Sequence, residues 1–344
     1  MTLVYSPAIR LFPVFIAETS EKAGWLTPFF AVLPYIGLVY LIQEFFKKHN
    51  DKNLSDIFFS VLGNIGGRFV LCFYWLWMMV LLGLYVRYFA ERFLMALIPN
   101  SSMNFFTVTI LAVVFYAVRG GFVALTRTTE YLFLTFTVIF IILFVLSIGN
   151  IEIINLFPVT HYDILPLIKS CYVLLGIWAY FTFIFFLADK MNDKEHIKRF
   201  GMQGGLYLVI MAFVILVQTI GKYGHTVVKR VPLPYFSVIK GISVLKTIER
   251  IESVVLACWV FVDFVIISVF IYIITSIIKS FFSLSETKSF VSPITMFAFV
   301  FSNYIARNRF ELENFSNICL ALNIFLGFIV PFFIFVIGKL RKRI

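Results

Sequence analysis

An aspartate in the middle of a long apolar run is the residue of this chain most able to do chemistry. Asp263 lies in SVVLACWVFVDFVIISVF, Ser253–Phe270. Hydrocarbon tolerates a buried carboxylate poorly, so such an acid is by default a functional-site residue. It can bind a cation or proton, pair with a base, or sit protonated against a neighbouring helix. The doublet Glu249-Arg250 precedes it by about 14 residues, roughly 21 Å along a helix. Helical spacing puts Glu252, Leu256, Trp259, Asp263 and Ile267 on one stripe. A carboxylate at a helix N-terminus is favoured by the helix dipole. Glu249 and Arg250 therefore organise the start of this helix or gate what lies behind it. Upstream, a Pro-bounded amphipathic segment from Pro232 predicts a short helix over Tyr235–Leu245, suited to closing the mouth of a bundle.

Other chemistries find little support. Cys72, Cys171, Cys258 and Cys319 are widely spaced and each lies inside an apolar run, as expected of packing residues. His49, His161, His196 and His225 fall in separate loops, so no metal site is expected. No nucleophile–base pair or phosphate loop occurs in a loop long enough to form a soluble site. The chain reads as no enzyme, with no cofactor. Nor does the N-terminal run, with its internal Arg10, read as a cleavable signal peptide.

The elements that must position these residues are membrane helices. Apolar residues make up 61% of the chain and charged residues 14%, more apolar surface than one soluble core could hide. The net charge of +11 resides mostly in short loops and in the tail Lys339, Arg341, Lys342, Arg343. That distribution follows the positive-inside rule and gives no reason to invoke nucleic acid.

A span needs about 20 apolar residues. Hydropathy predicts about ten: a short one at Thr2–Ala17, then Trp25–Phe46, Phe69–Phe89, Phe105–Val118, Tyr131–Ile148, Leu167–Ala188, Leu206–Ile220, Ser253–Ile278, Val291–Ala306 and Phe315–Ile337. A short amphipathic helix is expected near Leu54–Leu62. Arg87 and Lys169 should snorkel to the interface, and Asp189–Arg199 should be a solvated charged loop. The first and sixth runs are interrupted, at Pro7 and Gly176. That pattern marks either an inverted repeat of five plus five helices with a site between two discontinuous helices, or ordinary kinked helices.

YSPAIRLFPVFIAETSEKAGWLTPFF, Tyr5–Phe30, joins a Pro-containing helix to a polar turn and Ala-Gly-Trp. It resembles the start of spore-germination B-subunit proteins of the GerAB/GerKB type, within the amino acid–polyamine–organocation superfamily. PLPYFSVIKGISVLKTIERIESVVLACWVFVDF is similar to their segment leading into helix eight, including the Glu-Arg doublet. The likeness covers essentially the whole chain in span count, loop lengths and basic tail.

The resemblance implies an all-α membrane fold of ten helices, a LeuT-like 5+5 inverted repeat in one polytopic domain, 1–344. The first repeat would cover about 1–150 and the second about 164–338, with a basic cytoplasmic tail at 339–344. It implies a receptor in the spore inner membrane acting with an A subunit and a lipoprotein C subunit, and a nutrient ligand, commonly an amino acid. An ion-coupled amino acid or polyamine permease is the alternative. Ligands of this fold lie between helices one and six, flanked by three and eight. By position that implies Tyr5, Ser6, Pro7, Ala8, Gly176, Trp178 and Tyr180, with Tyr74 on helix three. Trp178 and Tyr180 would give an apolar wall and a hydroxyl, or only packing. Asp263 would face helix one and hold a cation or proton, or pair with Arg10. In one respect the chain departs from the family: Met1 falls just ahead of the helix-one break, so the first helix is expected to be truncated in its N-terminal half.

Overall fold

In a computed structural model of the protein, residues 1–49, 51–96, 101–191, 193–242, 251–306 and 308–343 are described, and helix is the only regular structure among them. In chain order the helices are α1 (Thr2–Thr19), α2 (Thr27–Lys47), α3 (Leu54–Ala96), α4 (Met103–Arg119), α5 (Phe122–Ser147), α6 (Ile164–Trp178) and α7 (Tyr180–Phe183). They continue with α8 (Ile197–Val228), α9 (Pro234–Lys240), α10 (Ile251–Phe282), α11 (Val291–Tyr304), α12 (Arg309–Ile324) and α13 (Val330–Leu340). A π-helical stretch, Phe325–Ile329, joins the last two. Helix is what apolar runs must form where no water can satisfy backbone N–H and C=O groups.

Among the described residues, seven helical segments are long and apolar enough to cross a membrane: Glu21–Lys47, Leu54–Met95, Phe122–Asn150, His161–Lys190, Ile197–Val228, Ser253–Phe282 and Phe310–Leu340. Met103–Arg119 is a shorter apolar helix. With so many such segments the chain is an integral membrane protein. Of the ten expected spans, α1 carries Arg10 and Glu18 and encloses Pro7 and Pro13. At 14 residues, α11 reaches only about 21 Å, short of a hydrocarbon core of about 30 Å.

The chain forms two compact units. One comprises Met1–Tyr40, Glu130–Trp178 and Lys198–Val262; the other comprises Leu41–Thr129, Ala179–Ile197 and Asp263–Ile344. In the first, α1 packs along α6 and against α9. The Phe15 and Tyr172 rings meet at 6.0 Å, and the hydroxyls of Ser20 and Ser170 bond to each other. The turn after α1 is tied down by Lys22 Nζ, which donates to the carbonyls of Ile154 (3.2 Å) and Phe157 (3.1 Å). Trp25 Nε1 donates to that of Leu156 (3.2 Å).

In the second unit α3 packs against α4 and α11. The expected Leu54–Leu62 helix is present as its first part. It breaks at Gly63, where φ is +80° and ψ 178°, a region open essentially to glycine. The carbonyls left over at that break are met by the C-terminal tail: Arg341 Nη1 donates to Val61 O at 2.8 Å, and Arg343 Nη1 to Ser60 O. Guanidinium groups at a helix C-terminus are worth about 0.3–1 kcal/mol each. Replacing both Arg341 and Arg343 by Ala is therefore expected to cost about 1 kcal/mol, read as a few degrees in the melting temperature of the purified protein. An unchanged melting temperature would show that these bonds do not hold the break.

Several sequence expectations are corrected. The third span runs past Phe89 to Ala96, because its charges are neutralised within the unit. Arg87 does not snorkel: it is buried and pairs with Glu91 one turn on, at 3.0 Å. The charged loop after the sixth span is exposed at most of its charged residues, as expected, with one exception: Lys194 is buried and donates to Lys52 O at 3.1 Å, and burial lowers its pKa from the usual lysine value. The helix expected over Tyr235–Leu245 ends at Lys240. Glu249 and Arg250 lie outside the described residues.

Candidate functional site

In the first unit, Tyr5, Ser6, Pro7 and Ala8 are all buried on α1, and Arg10 is half-buried. Tyr5 is placed by three aromatic neighbours, Phe136 and Phe140 of α5 and Tyr207 of α8, each edge-on at 6.1–6.3 Å. Its hydroxyl lies 3.4 Å from Thr137 Oγ1, which is also 2.9 Å from the Tyr207 hydroxyl. Thr137 gives its own proton to Phe133 O at 2.8 Å. A hydroxyl has one proton and two lone pairs, so both tyrosines donate to Thr137.

At the end of α6, Gly176 and Trp178 are buried. The Trp178 ring is fully buried and packs edge-on against Tyr35 at 5.7 Å. Its indole N–H has no hydrogen-bond partner among the described residues. A buried donor left unmet costs about 1–3 kcal/mol, which a folded protein tolerates where something else is meant to meet it. Beyond Trp178 the run is interrupted, as its composition suggested, though not at Gly176. The α-helix stops, Ala179 makes a turn, α7 lasts one turn, and Ile184–Lys190 tightens to 3-10 geometry. The first helix, by contrast, is unbroken from Thr2 to Thr19.

The first unit also contains a cavity of about 40 Å³ walled by α1, α5, α9 and α10. Tyr5, Phe136, Phe140, Tyr235, Cys258 and Trp259 contribute to its lining, and no charged side chain does.

In the second unit the Tyr180 hydroxyl lies 2.8 Å from that of Tyr85, and both rings pack on Phe270. Tyr74 is committed to the π-helical stretch: its hydroxyl donates to Leu326 O, and its ring sits among Phe58, Phe183 and Phe186. Thr182 Oγ1 donates to the next carbonyl, Gly327 O, at 2.7 Å, and Trp77 Nε1 to Asn323 Oδ1 at 2.9 Å. A π-bulge frees carbonyls from the α-helical ladder, and here α3 and α7 take up two of them.

Asp263 is fully buried and forms an ion pair with Arg92 of α3, itself almost fully buried. Arg10 had been the base expected beside it. Arg92 escapes sequence reasoning because it follows the last residues of an apolar run, where charges ordinarily mark the end of a span. Arg87 and Glu91 are spaced to pair with each other, but no spacing in the sequence joins Arg92 to Asp263. Thr137, Tyr207 and Tyr235 carried no such mark. Among the described residues, no group of three or more His, Cys, Asp or Glu side chains could hold a metal ion.

The structure thus brings Tyr5–Ala8 into the same unit as Gly176 and Trp178, and gathers Tyr74, Tyr180 and Asp263 in the other. Comparison with known proteins gives this arrangement a context. The profile described as "Spore germination protein" matches residues 6–310. The chain is similar to three proteins of Bacillus subtilis (strain 168). It is 23% identical to the "Putative spore germination protein YfkT", over 95% of this chain and 90% of that one. It is 24% identical to "Spore germination protein A2" (95% and 89%) and 23% identical to "Spore germination protein KB" (94% and 88%). This polytopic chain belongs to the spore germination protein family.

Proposed function

We propose that the protein is the B subunit of a nutrient germinant receptor in the spore inner membrane, acting with an A subunit and a lipoprotein C subunit. It binds a small germinant, an amino acid being the leading class, in a transporter-like fold of ten helices built as a 5+5 inverted repeat, with repeats over about 1–150 and 164–338. Of the residues implied for the germinant site, Tyr5, Ser6, Pro7, Ala8, Gly176 and Trp178 form it within the first unit. Membership of the germination family and the relatives named A2 and KB support the role. The observation that carries the site is the buried, unmet N–H of Trp178, at the end of the helix that packs along α1.

A germinant carboxylate or carbonyl accepting from that N–H supplies the missing bond. Binding then works by population shift, since a ligand moves the protein only as far as it prefers one state over another. In this reading Asp263 and Arg92 form the charge pair that differs between states, and Arg10, Glu249 and Arg250 take part in gating.

Trp178→Phe tests the site. Phe keeps the ring packing and removes a donor that is costly when unmet, so melting temperature should hold or rise. The germinant concentration for half-maximal response of spores carrying the variant should increase roughly tenfold, the equivalent of about 1.4 kcal/mol. Unchanged sensitivity would remove Trp178 from the site. If spores lacking the protein germinate normally with every nutrient, while proteoliposomes take up labelled amino acid in an ionophore-sensitive way, the permease reading replaces the receptor.

A further inference from the structure

In the first unit α1, α5 and α8 meet at one hydroxyl. Thr137 Oγ1 of α5 lies 3.4 Å from the Tyr5 hydroxyl of α1 and 2.9 Å from the Tyr207 hydroxyl of α8. Its own proton goes to Phe133 O one turn back, at 2.8 Å. With one donation and two acceptances, the oxygen is saturated. The two tyrosines are not held alike. Tyr207 has the shorter bond, and its ring also packs on Phe133 at 5.1 Å. Tyr5 has the longer bond, and its ring is met edge-on by Phe136, Phe140 and Tyr207. A hydrogen bond is directional, so Thr137 fixes where the Tyr5 hydroxyl points. At 3% exposure, Tyr5 has no water to turn to if that acceptor is lost.

We propose that Thr137 is a positioning residue of the germinant site, holding Tyr5 from behind in the orientation that germinant meets, with Tyr207 competing for the same oxygen. The inference rests on Tyr5 belonging to that site, as proposed above, and Thr137 acts on germinant only through Tyr5.

One shared oxygen gives the two tyrosines opposite parts. Removing the oxygen strands the Tyr5 hydroxyl. Removing the Tyr207 hydroxyl instead leaves Thr137 to Tyr5 alone and lets the longer bond shorten. A threonine that only packed the three helices together would give both losses the same sign.

Spores carrying the full-length variants are given common L-amino acids singly, or nutrient broth where none acts alone, and the concentration for half-maximal germination is measured. Thr137→Val keeps the shape and removes the acceptor, and should raise that concentration roughly fivefold, the loss of one ordinary hydrogen bond. Thr137→Ser keeps the oxygen and should restore the parent value. Tyr207→Phe should leave it unchanged or lower it. Tyr5→Phe should raise it. Tyr5→Phe with Thr137→Val should match the larger single effect rather than the product of the two, since both remove the same bond. If Thr137→Val does not reach the spore membrane, Thr137→Cys takes its place, a thiol being a weak acceptor. An effect of Tyr5→Phe without one of Thr137→Val overturns the proposal and leaves Tyr5 in the site. So does a Tyr207→Phe variant as insensitive as Thr137→Val, or a double variant whose effects multiply. If Trp178→Phe changes the response while neither Tyr5→Phe nor Thr137→Val does, Tyr5 leaves the site and this inference falls with it.

Discussion

Asp263→Leu is expected to be the most damaging single substitution in the protein, costing about 3–5 kcal/mol, the range for breaking one side of a buried ion pair. Arg92 is 4% exposed and Asp263 fully buried, so neither can turn to water when its partner is lost. The two losses are not symmetrical. Without Arg92, the acid can take up a proton and become a neutral hydrogen-bonding group. Without Asp263, a guanidinium that never loses its proton is deprived of its buried carboxylate. Arg92→Met should therefore be the milder change, and Arg92→Met with Asp263→Leu should recover most of the stability, because a well-packed apolar pair often replaces a buried ion pair at little cost. Melting temperatures of the two single variants and the double variant, measured in one detergent, provide the cycle. If the double variant is as unstable as the sum of the singles, the pair is not the unit it looks like. The same spores also test gating: a stable double variant that still answers germinant at normal concentrations would take the pair out of the switching mechanism.

The second large effect is expected at Gly327. A Cβ built there would lie 2.5 Å from the Ala179 Cβ, 3.0 Å from its Cα and 3.1 Å from its carbonyl oxygen. Two of those three atoms are backbone and cannot rotate away. Gly327→Ala should therefore cost about 1–3 kcal/mol, the usual penalty for overpacking, and should disturb the bond from Thr182 to the Gly327 carbonyl. Close backbone approach through small residues is how membrane helices gain contact where there is no hydrophobic driving force between them. Ala179→Gly in the same chain removes the worst of the three contacts and should restore part of the loss. A Gly327→Ala protein with normal melting temperature would mean that the π-helical stretch and the break after Trp178 can slide past one another freely.

What the amino acids make legible, and what they hide, follows from the range of the interactions. The helix over Leu54–Leu62 could be read from its amphipathic pattern. The interruption of the sixth span was readable in kind but not in place: the helix breaks at Ala179 and tightens over Ile184–Lys190, and no residue type there announces 3-10 geometry. The segment Phe325–Ile329 is likewise silent, since FLGFI reads as ordinary apolar helix and its π geometry rests on partners from α3 and α7. Asp263 stood out because an acid in hydrocarbon is anomalous by composition alone. Arg92 did not, being 171 positions away and at a place where a charge is ordinary. Of the residues implied by family likeness, Trp178 has a polar group still to be met, while Tyr5 already bonds Thr137 and Tyr74 has spent its hydroxyl on the Leu326 carbonyl.

The hold of the tail on the Gly63 break bears on how the protein is made. Arg343 reaches a carbonyl 283 positions earlier in the chain, and Arg341 one 280 positions earlier. The helix ending at Gly63 leaves the ribosome some 280 residues ahead of the arginines that seal its end. Until those arginines emerge, the carbonyls at that junction must be met by water or by other groups.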